Sequence, residues 1–205
     1  MRRNHLLTLA TLMAMLALAA SSVARAQSPN EKLEISAFAI NMSNIATGSN
    51  AVVQLTIDSW STPEERELLI TTMVEKKPAD LLKALQKLPV RGRFRIPTAR
   101  PPDPHHLSLG LDIHYAWQTP LPDGGRRIVL ATDRYIGFAE ARNQPRSIDY
   151  PFSLIEIRAD KDGKGVGKMA VATKIDFDKE KKVVQIENYG SEPVRLNEIR
   201  IKVKS

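Results

Sequence analysis

Between Asp133 and Asp149 the sequence sets Arg134, Arg142 and Arg146 around Glu140, Asn143 and Gln144, with Tyr135, Phe138 and Tyr150 close by. Guanidinium forks that converge with amides and aromatic rings are what recognition of a carboxylate, phosphate or sugar requires. Arg134, Arg142, Asn143, Arg146 and Tyr150 are therefore the candidate ligand-binding set. The same arginines answer equally well to Asp133, Glu140 and Asp149 in a loop held by its own ion pairs, and at this level both readings stand. A secondary basic face comes from Arg91, Arg93 and Arg95, repeated near the end by Arg200, Lys202 and Lys204. Like charges two residues apart on a strand share a face and repel. They call for acids across the sheet, Asp112 among them, or for an anionic partner.

Other chemistry finds little footing. The chain has no cysteine, hence no thiol nucleophile and no disulfide. His105 and His106 are adjacent on a loop and do not share a helical face, and Asp112 with His114 offers at most two ligands on one strand. No metal site and no cofactor are assigned; His114 is expected on a polar face against a neighbouring strand. Asp160-Lys161-Asp162-Gly163 resembles the start of a calcium loop, which needs glycine at its sixth position and glutamate at its twelfth. This chain supplies Gly165 but then Val171, so the segment reads as a hairpin turn. Ser108 lies in Leu107-Ser108-Leu109-Gly110 and lacks the first glycine of a nucleophile elbow. Carboxylates that meet only in space leave no sequence signature. An exported hydrolase acting through Glu140, Asp133 and Asp149 accordingly stays as the alternative to a binding module, and an envelope adaptor or structural protein as a third reading.

The elements that must position these residues are mostly strands. Leu33 to Met42 carries apolar residues on both faces, and Val53, Leu55 and Ile57 alternate with polar residues beyond the turn Thr47-Gly48-Ser49-Asn50. At Thr62-Pro63-Glu64-Glu65 the period changes: threonine caps, proline takes the first helical position and Glu65 completes a capping box. Leu68, Leu69, Met73 and Val74 follow at helical spacing, with Lys76-Lys77 at the end and Pro78 as the stop. A second helix from Ala79 to Leu88 closes before Pro89. Thereafter the periodic segments read as strands. Val90, Gly92, Phe94 and Ile96 form one face. After a loop with four prolines, Leu111, Ile113, Tyr115 and Trp117 alternate with Asp112, His114 and Ala116. Leu121-Pro122-Asp123-Gly124-Gly125 turns into Arg126 to Thr132, and Asp162-Gly163 reads as a type I′ hairpin turn. Met169, Val171, Thr173, Ile175 and Phe177 are expected on one core-facing strand, returning after Asp178-Lys179-Glu180-Lys181. In the last strand the apolar positions change phase between Leu196 and Ile199, which calls for a bulge near Asn197-Glu198.

The fold class expected is α+β, mainly antiparallel β: a barrel or two-sheet sandwich of about eight or nine strands with a two-helix insertion at about 62–88. Ahead of it, Arg2-Arg3, an apolar run from Leu6 to Ala20 and Ala24-Arg25-Ala26 read as a signal peptide over 1–26, leaving one domain over 27–205. The run is too short to span a bilayer, so no integral membrane association is expected. Arg2-Arg3 permits twin-arginine export, but His5 fits that motif poorly and the general route is preferred. The whole chain carries a net charge of +7, and without Met1 to Ala26 there remain 27 basic residues against 23 acidic, a net +4. Export and the lack of aromatics interleaved in the basic faces argue against nucleic acid.

The stretch from Thr119-Pro120-Leu121-Pro122-Asp123-Gly124-Gly125-Arg126-Arg127-Ile128-Val129-Leu130-Ala131-Thr132-Asp133-Arg134, through Arg142-Asn143-Gln144-Pro145-Arg146-Ser147, to Asp149-Tyr150-Pro151-Phe152 resembles a family of exported bacterial proteins of unknown function. The likeness continues through Asp160-Lys161-Asp162-Gly163-Lys164-Gly165 and implies export, with no activity or residue role attached. Together these readings describe a soluble periplasmic or secreted protein, a non-catalytic binding module for an anionic or polar ligand such as an anionic small molecule or envelope polymer. If the leader is processed after Ala26, mass spectrometry of the exported protein will show an N-terminus at or near Gln27; an intact leader in the membrane fraction would contradict the reading.

Overall fold

The computed structural model describes residues 31–42, 48–75, 78–99, 107–134, 136, 152–170, 174–178, 183–187 and 194–204. Residues 1–30, Thr47, Lys76-Lys77, His105-His106 and the segment 137–151 lie outside the described residues. Strands β1 (Leu33–Asn41), β2 (Asn50–Ile57), β3 (Gly92–Arg95), β4 (Leu111–Pro120), β5 (Arg126–Thr132), β6 (Leu154–Ala159), β7 (Lys164–Ala170) and β10 (Val194–Val203) close an eight-stranded antiparallel barrel in the order β1-β10-β7-β6-β5-β4-β3-β2. A separate two-stranded sheet pairs β8 (Lys174–Asp178) with β9 (Val183–Glu187). An eight-stranded barrel is just wide enough for side chains to fill it. Here Leu55, Ile57, Phe94, Ile113, Leu130 and Ile157 do so, each with essentially no exposed surface.

Helices α1 (Pro63–Glu75) and α2 (Pro78–Gln86) lie between β2 and β3 in the chain and pack on the outside of the barrel. The capping box forms as its residues dictate: the Thr62 N–H donates to Glu65 Oε2 at 2.9 Å and the Glu65 N–H to Thr62 Oγ1 at 3.2 Å. Pro78 opens α2 as well as following α1, since its missing N–H costs nothing in a first turn. Leu69, Leu81 and Leu85 cover Tyr115, Val129, Ala131, Phe152 and Leu154 on the outer face of β4 to β6. That second layer explains why β5 and β6 read as nearly continuous apolar runs: both their faces are buried.

Three details differ from the periodic reading. In β4 the register with β5 shifts between Ile113 and Tyr115, so Tyr115 and Trp117 turn outward to the helices and Ala116 faces the interior. The partner strand β3 ends at the pairing of Gly92 with Ile113, and Ser61 takes over, its N–H donating to Ala116 O and its Oγ accepting from the Ala116 N–H. Of the expected strand from Met169 to Phe177, Met169 belongs to β7 in the barrel and Ile175 and Phe177 to β8 in the separate sheet, and Val171 and Thr173 lie outside the described residues. Val90 is 50% exposed and does not join Gly92, Phe94 and Ile96. The bulge in β10, by contrast, sits where the phase change requires it: the pairing jumps from Leu196 with Gly167 to Ile199 with Gly165, and Glu198 takes a φ of 51°.

The turn between β6 and β7 also departs from type I′. The Gly163 N–H donates to Asp160 O, Asp160 Oδ1 accepts from the N–H groups of Asp162 and Lys164, and of the loop residues Gly163 alone has positive φ, 75°. This is a type I turn closed by a left-handed glycine, a common solution for a loop one residue longer than the expected one. A β-carbon at Gly163 would also stand 2.7 Å from Ile201 O. Gly163→Val should therefore cost at least about 1 kcal/mol from backbone strain alone, read as a lowered urea midpoint; an unchanged midpoint would mean the turn is not built this way.

Candidate functional site

The secondary basic face does not present three free charges. Arg91 donates from Nη2 to both carboxylate oxygens of Glu65, the longer contact being 2.6 Å, and so ties β3 to the first turn of α1. Arg93 donates to Asp112 Oδ1 at 3.1 Å across β3 and β4, the acid expected opposite, and Arg95 Nε donates to Ser108 O at 3.3 Å. Of the loop set, Arg134 is exposed and donates from Nε to Asp133 Oδ1 at 3.3 Å. Arg142, Asn143, Arg146 and Tyr150, with Glu140 and Asp149, lie outside the described residues.

Asp133 stands at a buried polar joint. His114, expected on a polar face, is buried instead, because the irregularity in β4 carries it beneath the end of the helix pair. Its Nδ1 donates to Leu88 O at 2.8 Å and its Nε2 lies 3.9 Å from Asp133 Oδ2. Beside it, Thr132 Oγ1 donates to Arg134 O, Ser153 Oγ accepts from the Ile136 N–H, and Ile136 is fully buried in the barrel core. These contacts anchor both ends of the chain around 134–152 to the barrel mouth. They have the character of structure rather than of a waiting site.

A cluster that the sequence reading did not single out lies on the outer face of β5 to β7. Glu156, its side chain 7% exposed, accepts from Arg127 Nε at 2.9 Å and Arg158 Nε at 3.0 Å, with Lys168 Nζ 3.7 Å away. Burial alone would raise its pKa; hydrogen bonds from Arg127 and Arg158 and the charges of Arg127 and Lys168 outweigh that and hold it below the ordinary 4.5. The strand register sets Arg127 directly opposite Arg158, and Lys168 opposite both Glu156 and Arg195. Three cations thus share one carboxylate, and Arg195 lies beyond Lys168 on the next strand. Arg158 spends only its Nε on Glu156, and its side chain is 63% exposed. The available signal was a glutamate inside the apolar run Leu154-Ile155-Glu156-Ile157, since a charge there has to be paired.

Next to this cluster, between the helix pair and the barrel wall, is an apolar cleft of about 50 Å³ lined by Leu69, Met73, Leu81, Leu85, Phe152 and Leu154 among others. Its polar members are Arg66 and Tyr115. The Arg66 guanidinium lies 5.2 Å from the Trp117 ring centroid, a cation–π contact. Burial pushes the Tyr115 phenol up to about 12, although Arg66 and Arg127 pull the other way, so it stays neutral over the physiological range. Among the described residues no group of histidines and carboxylates is placed to hold a metal ion. An ionised Glu156 encircled by cations cannot serve as a general acid, whereas the surplus of positive charge can hold an anion.

No family model, no curated protein and no solved structure matches the chain.

Glu156→Gln would leave Arg127 and its neighbours without their shared carboxylate and should cost about 2 kcal/mol at neutral pH. Because the folded-state pKa of Glu156 is depressed, its contribution is present above the unfolded value of 4.5 and fades as pH falls through the folded value. Urea melts from neutral pH downward should show the difference between parent and variant shrinking as acid is added; a constant difference would show that Glu156 is not the ionised centre of the cluster.

Proposed function

We propose that the protein is an exported, non-catalytic binding module for an anionic ligand, docking on the cations grouped about Glu156. One observation carries the reading: Arg127, Arg158 and Lys168 surround a single carboxylate and Arg195 stands opposite Lys168 on the next strand, with Arg158 and Lys168 63% and 43% exposed. Like charges facing one another across strands are mutually destabilising, and an incoming anion would relieve them. Farther along the same strands Lys164 faces Arg200, which extends the positive face toward β10. The filled barrel interior favours a ligand held on the outside, as an envelope adaptor would hold an acidic polymer. Periplasmic or secreted placement, from the leader, would bring the face against such polymers and away from cytoplasmic nucleic acid.

The test is a titration with heparin and with polyphosphate at several salt concentrations. Attraction to the cluster makes the affinity fall steeply as salt rises, and Arg158→Ala and Lys168→Ala should each weaken binding by about 5-fold, on the scale of one exposed charge contact, while leaving the circular-dichroism melt nearly unchanged. Absence of binding at low salt, or equal affinity in the parent and both variants, would remove the cluster as the docking site.

A further inference from the structure

We infer that the cleft between the helix pair and the barrel takes the hydrocarbon chain of an amphipathic anion, a long-chain carboxylate, with its head group at Arg66 and Tyr115. The inference rests on the anion reading for the head group alone; the chain site stands on separate observations. The barrel interior is filled by its own side chains, so an acyl chain has no room there. Outside, α1 and α2 leave an apolar cleft against β4 to β6. Leu85 and Leu81 on α2 and Leu69 and Met73 on α1 form one wall, and Val129 and Leu154 belong to the other. Met73 is unbranched and adaptable, as suits a site that must close around a flexible chain.

Charge complementarity selects the head group. Arg66 lines the cleft and is stacked on Trp117, which keeps its guanidinium beside the apolar surface. Tyr115 lines the same cleft and remains a neutral phenol, able to donate a hydrogen bond to a carboxylate. Arg127 is two residues from Val129 on the same strand face and links the cleft to the Glu156 cluster. A guanidinium and a phenol lining an apolar cleft, with the Glu156 cluster beside it, match an anion that carries a chain, whereas a purely polar anion would leave the cleft unused. A void of about 50 Å³ covers a short length of chain, so the ligand lies along the cleft with only part of it enclosed.

Tryptophan fluorescence can read the site, because the chain has two tryptophans and Trp60 is buried in the barrel core while Trp117 stacks on Arg66. The mature protein is titrated with 12-bromododecanoate, whose bromine quenches a nearby indole, and then with acetate, butanoate, octanoate and dodecanoate as competitors and with dodecanol. Affinity should rise by about fourfold for each methylene the cleft covers and level off beyond it. Ala131→Leu, which adds bulk to the cleft wall, should abolish quenching, and Arg66→Gln should weaken the carboxylates about tenfold while leaving dodecanol unchanged. If Ala131→Leu does not fold, the chain-length series and Arg66→Gln decide on their own. Acetate binding as well as dodecanoate would overturn the chain site and leave a simple anion site, as would undiminished quenching in a folded Ala131→Leu. Polyphosphate binding with no fatty-acid binding would overturn this inference and spare the proposed function; failure of both would end both. A dimer in ultracentrifugation that Ala131→Leu dissolves, with no fatty-acid binding, would assign the cleft to a second copy of the chain and overturn the inference.

Discussion

The barrel exists only because the first and last strands meet. Leu33 pairs with Val203 and Asn41 with Val194, so β1 and β10, at opposite ends of the described chain, complete the ring. Closure removes every free edge among the barrel strands, which matters for a sheet so rich in apolar residues. It also places the interior beyond a ligand's reach, because at eight strands the alternate side chains of all the strands fill the lumen. Two local features let the strands beside that joint follow the ring. The bulge at Asn197-Glu198 lets β10 present Leu196 and then Ile199 inward, and Gly165 on β7 lets β6 come close, since a β-carbon there would stand 2.0 Å from Arg158 O.

With the inside occupied, chemistry has to be built on the outside, and the helix pair organises it. By covering Tyr115, Val129, Ala131 and Leu154, α1 and α2 turn part of the wall into a second core. Glu156 sits on that wall beyond the helices, largely removed from water by its neighbours, and has to be compensated. Compensation exceeds need: Arg127, Arg158 and Lys168 converge on it, and Arg195 stands behind Lys168. The same covering elements that bury the wall leave an apolar cleft beside that surplus of charge. Arg66, reaching from α1 to the ring of Trp117, joins the two.

The loop arginines that drew attention in the sequence have a different standing from this wall. Arg134 pairs with Asp133, and the joint of His114, Thr132, Ser153 and Ile136 fastens its surroundings to the barrel. Arg91, Arg93 and Arg95 each bind a group on a different element, so what reads as a stripe of charge serves as three separate ties. Strand periodicity puts like charges on one face but is silent about what each will meet.

By itself the sequence determined the local rules. Alternation of apolar residues set most strands and their inward faces, Thr62 and Glu65 set the start of α1, and the slip from Leu196 to Ile199 set the bulge in β10, because each depends on residues a few positions apart. Tertiary structure decided whatever depends on which strand lies alongside. The outward turn of Tyr115 and Trp117 follows from β3 ending at Gly92 and Ser61 taking its place, and the assignment of Ile175 and Phe177 to a second sheet follows from the pairing of β8 with β9. Arg127, Glu156, Lys168 and Arg195 come from four strands, and Arg66 from a helix between β2 and β3. Only closure of the barrel and docking of the helices bring them to one face, because register across strands is set by all the partners together and by no segment alone.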